Sequence, residues 1–227
     1  MATTDRLAVL QAIIDTAIIP VFYHKDPEVA LQVALACHRG GARLVEFTNR
    51  GDFAADVFRE IHRPLLTEAP DALLGVGSIV DAPTAALYIN YGAAFVVGPL
   101  LNADVARLCN RRKIAYSPGC GSATEISQAE ELGVEIVKVF PGNSVGGPDF
   151  VKSIMGPCPW TRMMITGGVE PTRESLTRWF TAGASAVGMG SNLIRSDLVK
   201  AGAYDEIAEN VRQALQLVKE IREGLNA

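Results

Sequence analysis

Eight short apolar segments recur along the chain between polar or helix-like stretches, and this alternation constrains the fold more than any other feature. Each segment is rich in β-branched or other apolar residues and is bounded by Gly, Pro or polar turns, as β-strands are. Most are apolar on both faces, which is typical of parallel strands covered on both sides. The predicted strands are residues 17–23, 43–48, 73–78, 93–98, 114–117, 135–140, 163–166 and 184–190.

Helical patterns lie between these strands. Residues 27–41 end in two glycines, residues 122–133 begin with a capping-box pattern, and residues 204–225 carry an apolar stripe along one face. A further amphipathic helix is predicted at about residues 4–16, before the first strand.

Eight β-units, each followed by a helix or helix-like stretch, indicate a parallel α/β fold. An open doubly wound sheet is the alternative, but no GxGxxG follows the first strand and the count of eight favours closure. We therefore predict one domain, residues 1–227, that forms a (β/α)8 TIM barrel with an extra N-terminal helix. Active groups in such a barrel sit at the C-terminal ends of the strands.

Composition excludes several classes of protein. The net charge of −4 leaves no basic footprint, so nucleic acid and membranes are not expected partners. The N-terminal segment MATTDRLAVLQAIID does not resemble a signal peptide, and no apolar run is long enough to span a bilayer. The four cysteines lack paired spacing and are expected to be reduced thiols in the cytoplasm.

No metal or cofactor is expected. His24, His38 and His62 show no ligand spacing, and the sequence contains no cluster of carboxylates that suggests a metal site.

Lys138 is the most informative single residue. It lies within VEIVKVFPG, and strand alternation puts it on one face with Ile136 and Phe140. If both faces of the strand are covered, desolvation favours the neutral amine and lowers its pKa, which activates a lysine to form an imine. The alternative is a lysine at the end of a strand that reaches out to water.

Glu46 is the second anomaly, since a carboxylate inside the apolar strand RLVEFT has a raised pKa unless a cation pairs with it. It is a candidate proton shuttle, and the alternative is a buried salt bridge to Arg50. Arg50 follows the strand, where its guanidinium could hold a substrate carboxylate with two hydrogen bonds.

Glycine-rich loops follow the seventh and eighth predicted strands. Gly167 and Gly168 follow one strand, and Gly190 and Ser191 follow the next. Their adjacent positions predict a cradle of backbone N–H groups for a phosphate, although either loop alone would indicate only a tight turn.

Ser78 ends the third strand, where its hydroxyl could bind a carboxylate or instead cap the next helix. Pro99 and Pro141 each follow a strand and are most simply interpreted as the first residues of a loop or a helix. We predict that both prolines, together with Phe140, line the pocket.

These segments together resemble the family of 2-keto-3-deoxy-6-phosphogluconate (KDPG) aldolases and 4-hydroxy-2-oxoglutarate (KHG) aldolases. The similar segments span nearly the whole chain in order: VEFTNRG, GVGSIVDAPTAALYINYGAAFVVGP, SPGCGSATEISQAEELGVEIVKVFPG, GGPDFVKSIMGP, ITGGV and AVGMGSNLI.

The resemblance implies a class I (Schiff-base) aldolase, an aldehyde-lyase of carbohydrate metabolism, with pyruvate as a product. It implies a small-molecule 2-keto acid as substrate, a homotrimer, and a role in the Entner–Doudoroff pathway. It assigns Lys138 as the imine lysine and Glu46 as its proton shuttle. The substrate carboxylate would be held by Arg50, Ser78 and Thr48, and the phosphate by Thr166, Gly167, Gly168, Gly190 and Ser191.

The sequence also departs from the family pattern. Ser78 stands where threonine is usual, Asn49 where the residue is usually apolar, and Asn143 where an acid is common. Tyr23 and His24 end the first strand, where arginine is frequent in part of the family.

Two other functions remain open on the residues alone. A phosphate-binding barrel isomerase or a thiamine-phosphate synthase would use the same glycine loops without a buried lysine. A non-catalytic phosphosugar-binding barrel would use Lys138 and Glu46 as a structural ion pair.

Overall fold

The computed structural model describes residues 5–225, and within them nine parallel strands alternate with ten helices. The strands are β1 Ile18–Phe22, β2 Leu44–Thr48, β3 Leu73–Gly77, β4 Phe95–Val97, β5 Ala115–Ser117, β6 Gly119–Cys120, β7 Val137–Val139, β8 Met163–Thr166 and β9 Ala186–Met189. The helices are α1 Arg6–Thr16, α2 Pro27–Arg39, α3 Ala54–Glu68, α4 Ala82–Asn90, α5 Ala103–Arg112, α6 Ala123–Glu131, α7 Gly147–Met155, α8 Arg173–Thr181, α9 Ser196–Ala201 and α10 Tyr204–Leu225.

The sheet runs in the order β5-β4-β3-β2-β1-β9-β8-β7-β6, and every pairing is parallel. Its two ends, β5 and β6, are consecutive segments of the chain separated only by Pro118. Proline has no backbone N–H, so it interrupts the fifth strand without moving it out of the barrel. The first half of that strand pairs with β4 and the second half with β7, which closes the ring. The predicted barrel of eight β-units is confirmed, with its fifth strand divided in two.

Helix α1 lies across one end of the barrel. Its buried residues Val9, Ala12 and Ile13 form a cluster with apolar side chains from the strands, including Phe95 and Ile136. Arg222 of α10 holds this helix by donating to the carbonyls of Ile14 and Asp15. The extra N-terminal helix is therefore part of the core, although residue 4 of the predicted helix lies outside the described residues.

Strand alternation separates two cores. Leu44 and Ile136 belong to the cluster inside the barrel, whereas Val45, Val137 and Val139 belong to the larger cluster between strands and helices. Residues two apart along a strand face the same side. The same alternation therefore directs residues 46, 48 and 138 into the barrel.

Helix capping and cysteine chemistry agree with the sequence. Ser122 caps α6 as predicted, and Asp26 caps α2 with Pro27 in its first turn. Cys37, Cys109, Cys120 and Cys158 are all unpaired. Within residues 5–225, each helix is too short or too polar to span a lipid bilayer.

Candidate active site

Lys138 lies inside the barrel and is 6% exposed. Its Nζ is 4.6 Å from the centroid of the Phe140 ring, which stands on the same face two residues later. Burial lowers the pKa of this amine, the negative charge of Glu46 opposes that shift, and the positive charge of Arg50 adds to it. The alternative of a lysine that reaches out to water is wrong.

Glu46 is 2% exposed and lies on the same side of its strand as Leu44. Burial raises the pKa of its carboxyl, while the nearby charges of Lys138 and Arg50 pull that pKa down. Within residues 5–225 neither Lys138 nor Arg50 comes within 4.0 Å of the Glu46 carboxylate as an ion pair. The alternative of a buried Glu46–Arg50 salt bridge is therefore wrong. The charges of the three groups act on one another through space at longer range.

Two glycines of β3 make room for side chains inside the barrel, Gly77 for Glu46 and Gly75 for Phe95. A Cβ on Gly77 would lie 1.8 Å from Glu46 Oε1, and a Cβ on Gly75 would lie 2.3 Å from the Phe95 ring. Glu46 and Gly75 are direct partners in the β2–β3 pairing. Sequence reasoning missed this role, although glycine at alternate positions of a buried strand is a known sign of close approach.

Arg50, Ser78 and Thr48 come together at the ends of β2 and β3. Arg50 Nε donates to Ser78 Oγ at 3.3 Å, which orients an otherwise exposed guanidinium. Thr48 is buried and its hydroxyl donates to the carbonyl of Phe22 at 3.3 Å. Ser78 has a φ of 61° and does not cap α4, since Asp81 does so. The alternative role of Ser78 as a helix cap is therefore wrong.

A cavity of about 560 Å³ opens at this end of the barrel. It is lined by Thr48 and Arg50 and by all five residues predicted to hold the phosphate: Thr166, Gly167, Gly168, Gly190 and Ser191. Lys138 and Glu46 lie one inward-facing position below Phe140 and Thr48, so they stand beneath the floor of the cavity.

Thr166 carries a buried hydroxyl that lacks a hydrogen-bond partner among the described residues. A Cβ on Gly188 would lie 2.7 Å from this hydroxyl, so glycine there leaves the space open. Buried polar groups without a partner are costly, and this one belongs to a residue that lines the cavity.

The three residues predicted to line the pocket differ in their positions. Phe140 lines the cavity, whereas Pro99 and Pro141 are outside its lining. The carbonyl of Pro99 packs against Gly119, where a Cβ would lie 2.2 Å from that oxygen. The cis Phe140–Pro141 bond brings Pro141 against Gly167, in the loop after β8.

The residues that depart from the family pattern also have contacts. Asn49 accepts a hydrogen bond of 2.8 Å from the hydroxyl of buried Tyr88. Asn143 lies over Gly168, where a Cβ would be 2.0 Å from the Asn143 amide nitrogen. The side-chain amides of Asn49 and Asn143 therefore each contact a neighbouring residue.

This arrangement places an amine with a lowered pKa and a carboxyl with a raised pKa inside the barrel, next to a cavity that anion-binding groups line. Such a set can form an imine with a keto acid and move protons beside it. Residues 5–225 contain no group of three or more His, Cys, Asp or Glu side chains placed to hold a metal ion.

Comparison with known proteins gives consistent matches. The family model described as KDPG and KHG aldolase matches residues 9–210. The 2-dehydro-3-deoxy-phosphogluconate aldolase of Pseudoalteromonas atlantica is 35% identical over 202 residues, which cover 87% of this chain and 89% of that protein. The KHG/KDPG aldolase of Escherichia coli K12 is 30% identical over 203 residues, which cover 89% of this chain and 92% of that protein.

A similar solved structure is that of the KDPG aldolase from Legionella pneumophila, with pyruvate captured at low pH as a covalent carbinolamine intermediate. Its TM-score is 0.80 at 25% identity, over 89% of this chain and 97% of that chain.

Proposed function

The chain belongs to the KDPG and KHG aldolase family, and from that premise we propose which residues carry its reaction and which substrates it takes. The protein is a class I aldolase, an aldehyde-lyase of the pyruvate type. Its substrates are 2-keto-3-deoxy-6-phosphogluconate, cleaved to pyruvate and glyceraldehyde 3-phosphate, and 4-hydroxy-2-oxoglutarate, cleaved to pyruvate and glyoxylate. The single observation that supports these roles most is the buried amine of Lys138, whose pKa is lowered inside the barrel.

The reaction begins at Lys138. Its neutral amine attacks the keto carbon of the substrate, and the resulting carbinolamine loses water to give a protonated imine. The imine accepts the electron pair of the bond between the third and fourth carbons as that bond breaks. The 4-hydroxyl loses its proton and becomes the carbonyl of the leaving aldehyde. Protonation of the enamine and hydrolysis of the imine then release pyruvate and the free lysine.

Glu46 moves the protons in these steps. Its carboxyl is buried with a pKa raised above the ordinary value, so it holds a proton more readily than an exposed carboxylate and can both accept and return one. It takes the proton of the 4-hydroxyl during cleavage and supplies a proton for the loss of water. It forms no ion pair with Lys138 within 4.0 Å among the described residues, and a proton that passes between the two groups does so through a water or through the substrate.

The two ends of the substrate are held by different groups. Arg50 binds the carboxylate, with its guanidinium held by Ser78 and with Thr48 beside it. Thr166, Gly167, Gly168, Gly190 and Ser191 bind the distal phosphate through backbone N–H groups and hydroxyls. Phe140 covers the amine and keeps water from it, while Pro99 and Pro141 support the loops around the pocket.

We also propose that the enzyme is a single-domain homotrimer in the cytoplasm and serves the Entner–Doudoroff pathway. The four unpaired cysteines suit a reducing compartment. The trimer and the pathway are proposed from the resemblance of the sequence to this family.

The experiment that tests this function measures pyruvate release from both substrates through a coupled dehydrogenase. Wild-type protein is expected to turn over at least one of them, and Lys138→Ala is expected to lose several orders of magnitude in rate. Near-wild-type turnover by Lys138→Ala would eliminate the imine mechanism.

A further inference from the structure

The active-site cavity carries charge of one sign. Its lining includes Arg50, Lys200 and His24, and none of the described residues that line it is an aspartate or a glutamate. This contrasts with the whole chain, whose net charge is −4. A cavity with cationic walls in an acidic protein concentrates anionic ligands.

The two cations, Arg50 and Lys200, and the neutral His24 belong to different strand ends. Arg50 follows β2, His24 follows β1, and Lys200 lies on α9, which follows β9. These three strands are adjacent in the order β2-β1-β9. Because neighbouring strands are about 4.8 Å apart, β2 and β9 are roughly 10 Å apart, and Arg50 and Lys200 reach the cavity from opposite sides of β1. The glycine loop of Gly190 and Ser191 lies on the Lys200 side.

Lys200 and His24 both have hydrogen-bond donors available to a ligand in the cavity. Lys200 is exposed and forms no ion pair within 4.0 Å among the described residues, and the acid one turn before it, Asp197, is paired with Arg195. The Asp26 N–H donates to His24 Nδ1 at 3.1 Å. His24 Nδ1 also lies 3.3 Å from the Asp26 carbonyl, so Asp26 engages this nitrogen in either tautomer. When the proton is on Nε2, the ring offers that N–H to a ligand.

We propose that Lys200, assisted by His24, binds the distal phosphate of the substrate and makes this enzyme selective for 2-keto acids that are anionic at both ends of a six-carbon chain. The proposal rests on the proposed function, but it assigns residues that the glycine loops do not include. Arg50 binds the carboxylate of the substrate, and Lys200 binds a phosphate at the other end of the substrate when one is present. A shorter substrate that ends in a carboxylate would leave Lys200 solvated.

The test uses 6-phosphogluconate, which has a carboxylate and a phosphate at its two ends but no keto group to form an imine. Calorimetry measures its affinity and that of gluconate for wild-type protein, Lys200→Gln, Lys200→Arg and the matched control Lys219→Gln. Lys219 is an exposed lysine on α10, paired with Glu223 outside the cavity. Lys200→Gln is expected to weaken 6-phosphogluconate binding about tenfold, the effect of one lost charge-assisted hydrogen bond. Lys200→Arg and Lys219→Gln are expected to stay within about twofold of wild type, because both keep the charge at the site.

Three results would overturn the proposal: equal affinity of wild-type protein for 6-phosphogluconate and gluconate, unchanged binding by Lys200→Gln, or an equal loss in Lys219→Gln. Added salt should shrink the difference between wild type and Lys200→Gln, because Lys200 is exposed and screened. Failure of the proposed function is separate, since it appears as absent turnover whether or not 6-phosphogluconate binds.

Discussion

Replacing Gly77 with alanine places a methyl group where the carboxylate of Glu46 now lies. The new Cβ would be 1.8 Å from Glu46 Oε1, 2.6 Å from Cδ and 3.0 Å from Cγ. Normal contacts of a Cβ are not closer than 3.0 Å, so the carboxylate must move by roughly 1 Å or more. Gly77 has no positive φ, so its backbone accepts alanine and the effect reports the contact alone.

The expected magnitude has two parts. Overpacking a buried site costs about 1–3 kcal/mol of unfolding free energy, which lowers Tm by several degrees in a domain of this size. A misplacement of about 1 Å in a catalytic group costs on the order of 100-fold in rate. We therefore expect Gly77→Ala to fold, to lose about 100-fold in kcat, and to keep its ability to form an imine with pyruvate.

The assay is pyruvate release at saturating substrate, with thermal unfolding followed by circular dichroism. Gly224→Ala is the control, because a Cβ there meets nothing within 4 Å. If the methyl group acts through Glu46, Gly77→Ala should cost little further activity in a Glu46→Gln background. Wild-type kcat in Gly77→Ala, or an undiminished loss in the double variant, would refute this reasoning.

The remaining predictions concern the other groups of the site. Glu46→Gln should lower turnover less than Lys138→Ala does while pyruvate still forms a trappable imine; a complete loss of trapping would contradict this. The rate of borohydride trapping should rise with pH through a midpoint below the ordinary lysine pKa, because burial lowers the pKa of Lys138 and only its neutral amine reacts. Glu46→Gln should move that midpoint to still lower pH, since the negative charge of Glu46 favours the protonated amine; an upward shift would refute the coupling. Ser78→Ala should raise the KM for substrate about fivefold by freeing the Arg50 guanidinium, with little change in kcat; an unchanged KM would show that Ser78 does not hold Arg50.

The spacing of apolar residues predicted the fold, because the position of each strand and the face that it turns inward depend on neighbouring residues in the sequence. All eight predicted β-units form, and alternation correctly placed Lys138 with Ile136 inside the barrel. The division of the fifth strand was missed. The sequence signal was Pro118, which has no backbone N–H, but the pairings on either side of it depend on strands distant in sequence.

The site was less accessible from the sequence, because its geometry depends on contacts between strands. Pattern alone could not decide whether Glu46 pairs with Arg50, since a salt bridge depends on side-chain distances. Lys200 is an exposed lysine whose position at the cavity follows from the order β2-β1-β9, which local sequence pattern does not show. The fit of Gly77 against Glu46 required the β2–β3 pairing.

The most direct measurement of the central claim is covalent trapping. The protein is mixed with pyruvate, reduced with borohydride, digested and mapped by mass spectrometry beside an aldolase known to react. The account predicts one adduct, on Lys138, and none in Lys138→Ala. An adduct on another lysine, or no adduct under conditions that label the known aldolase, would contradict it.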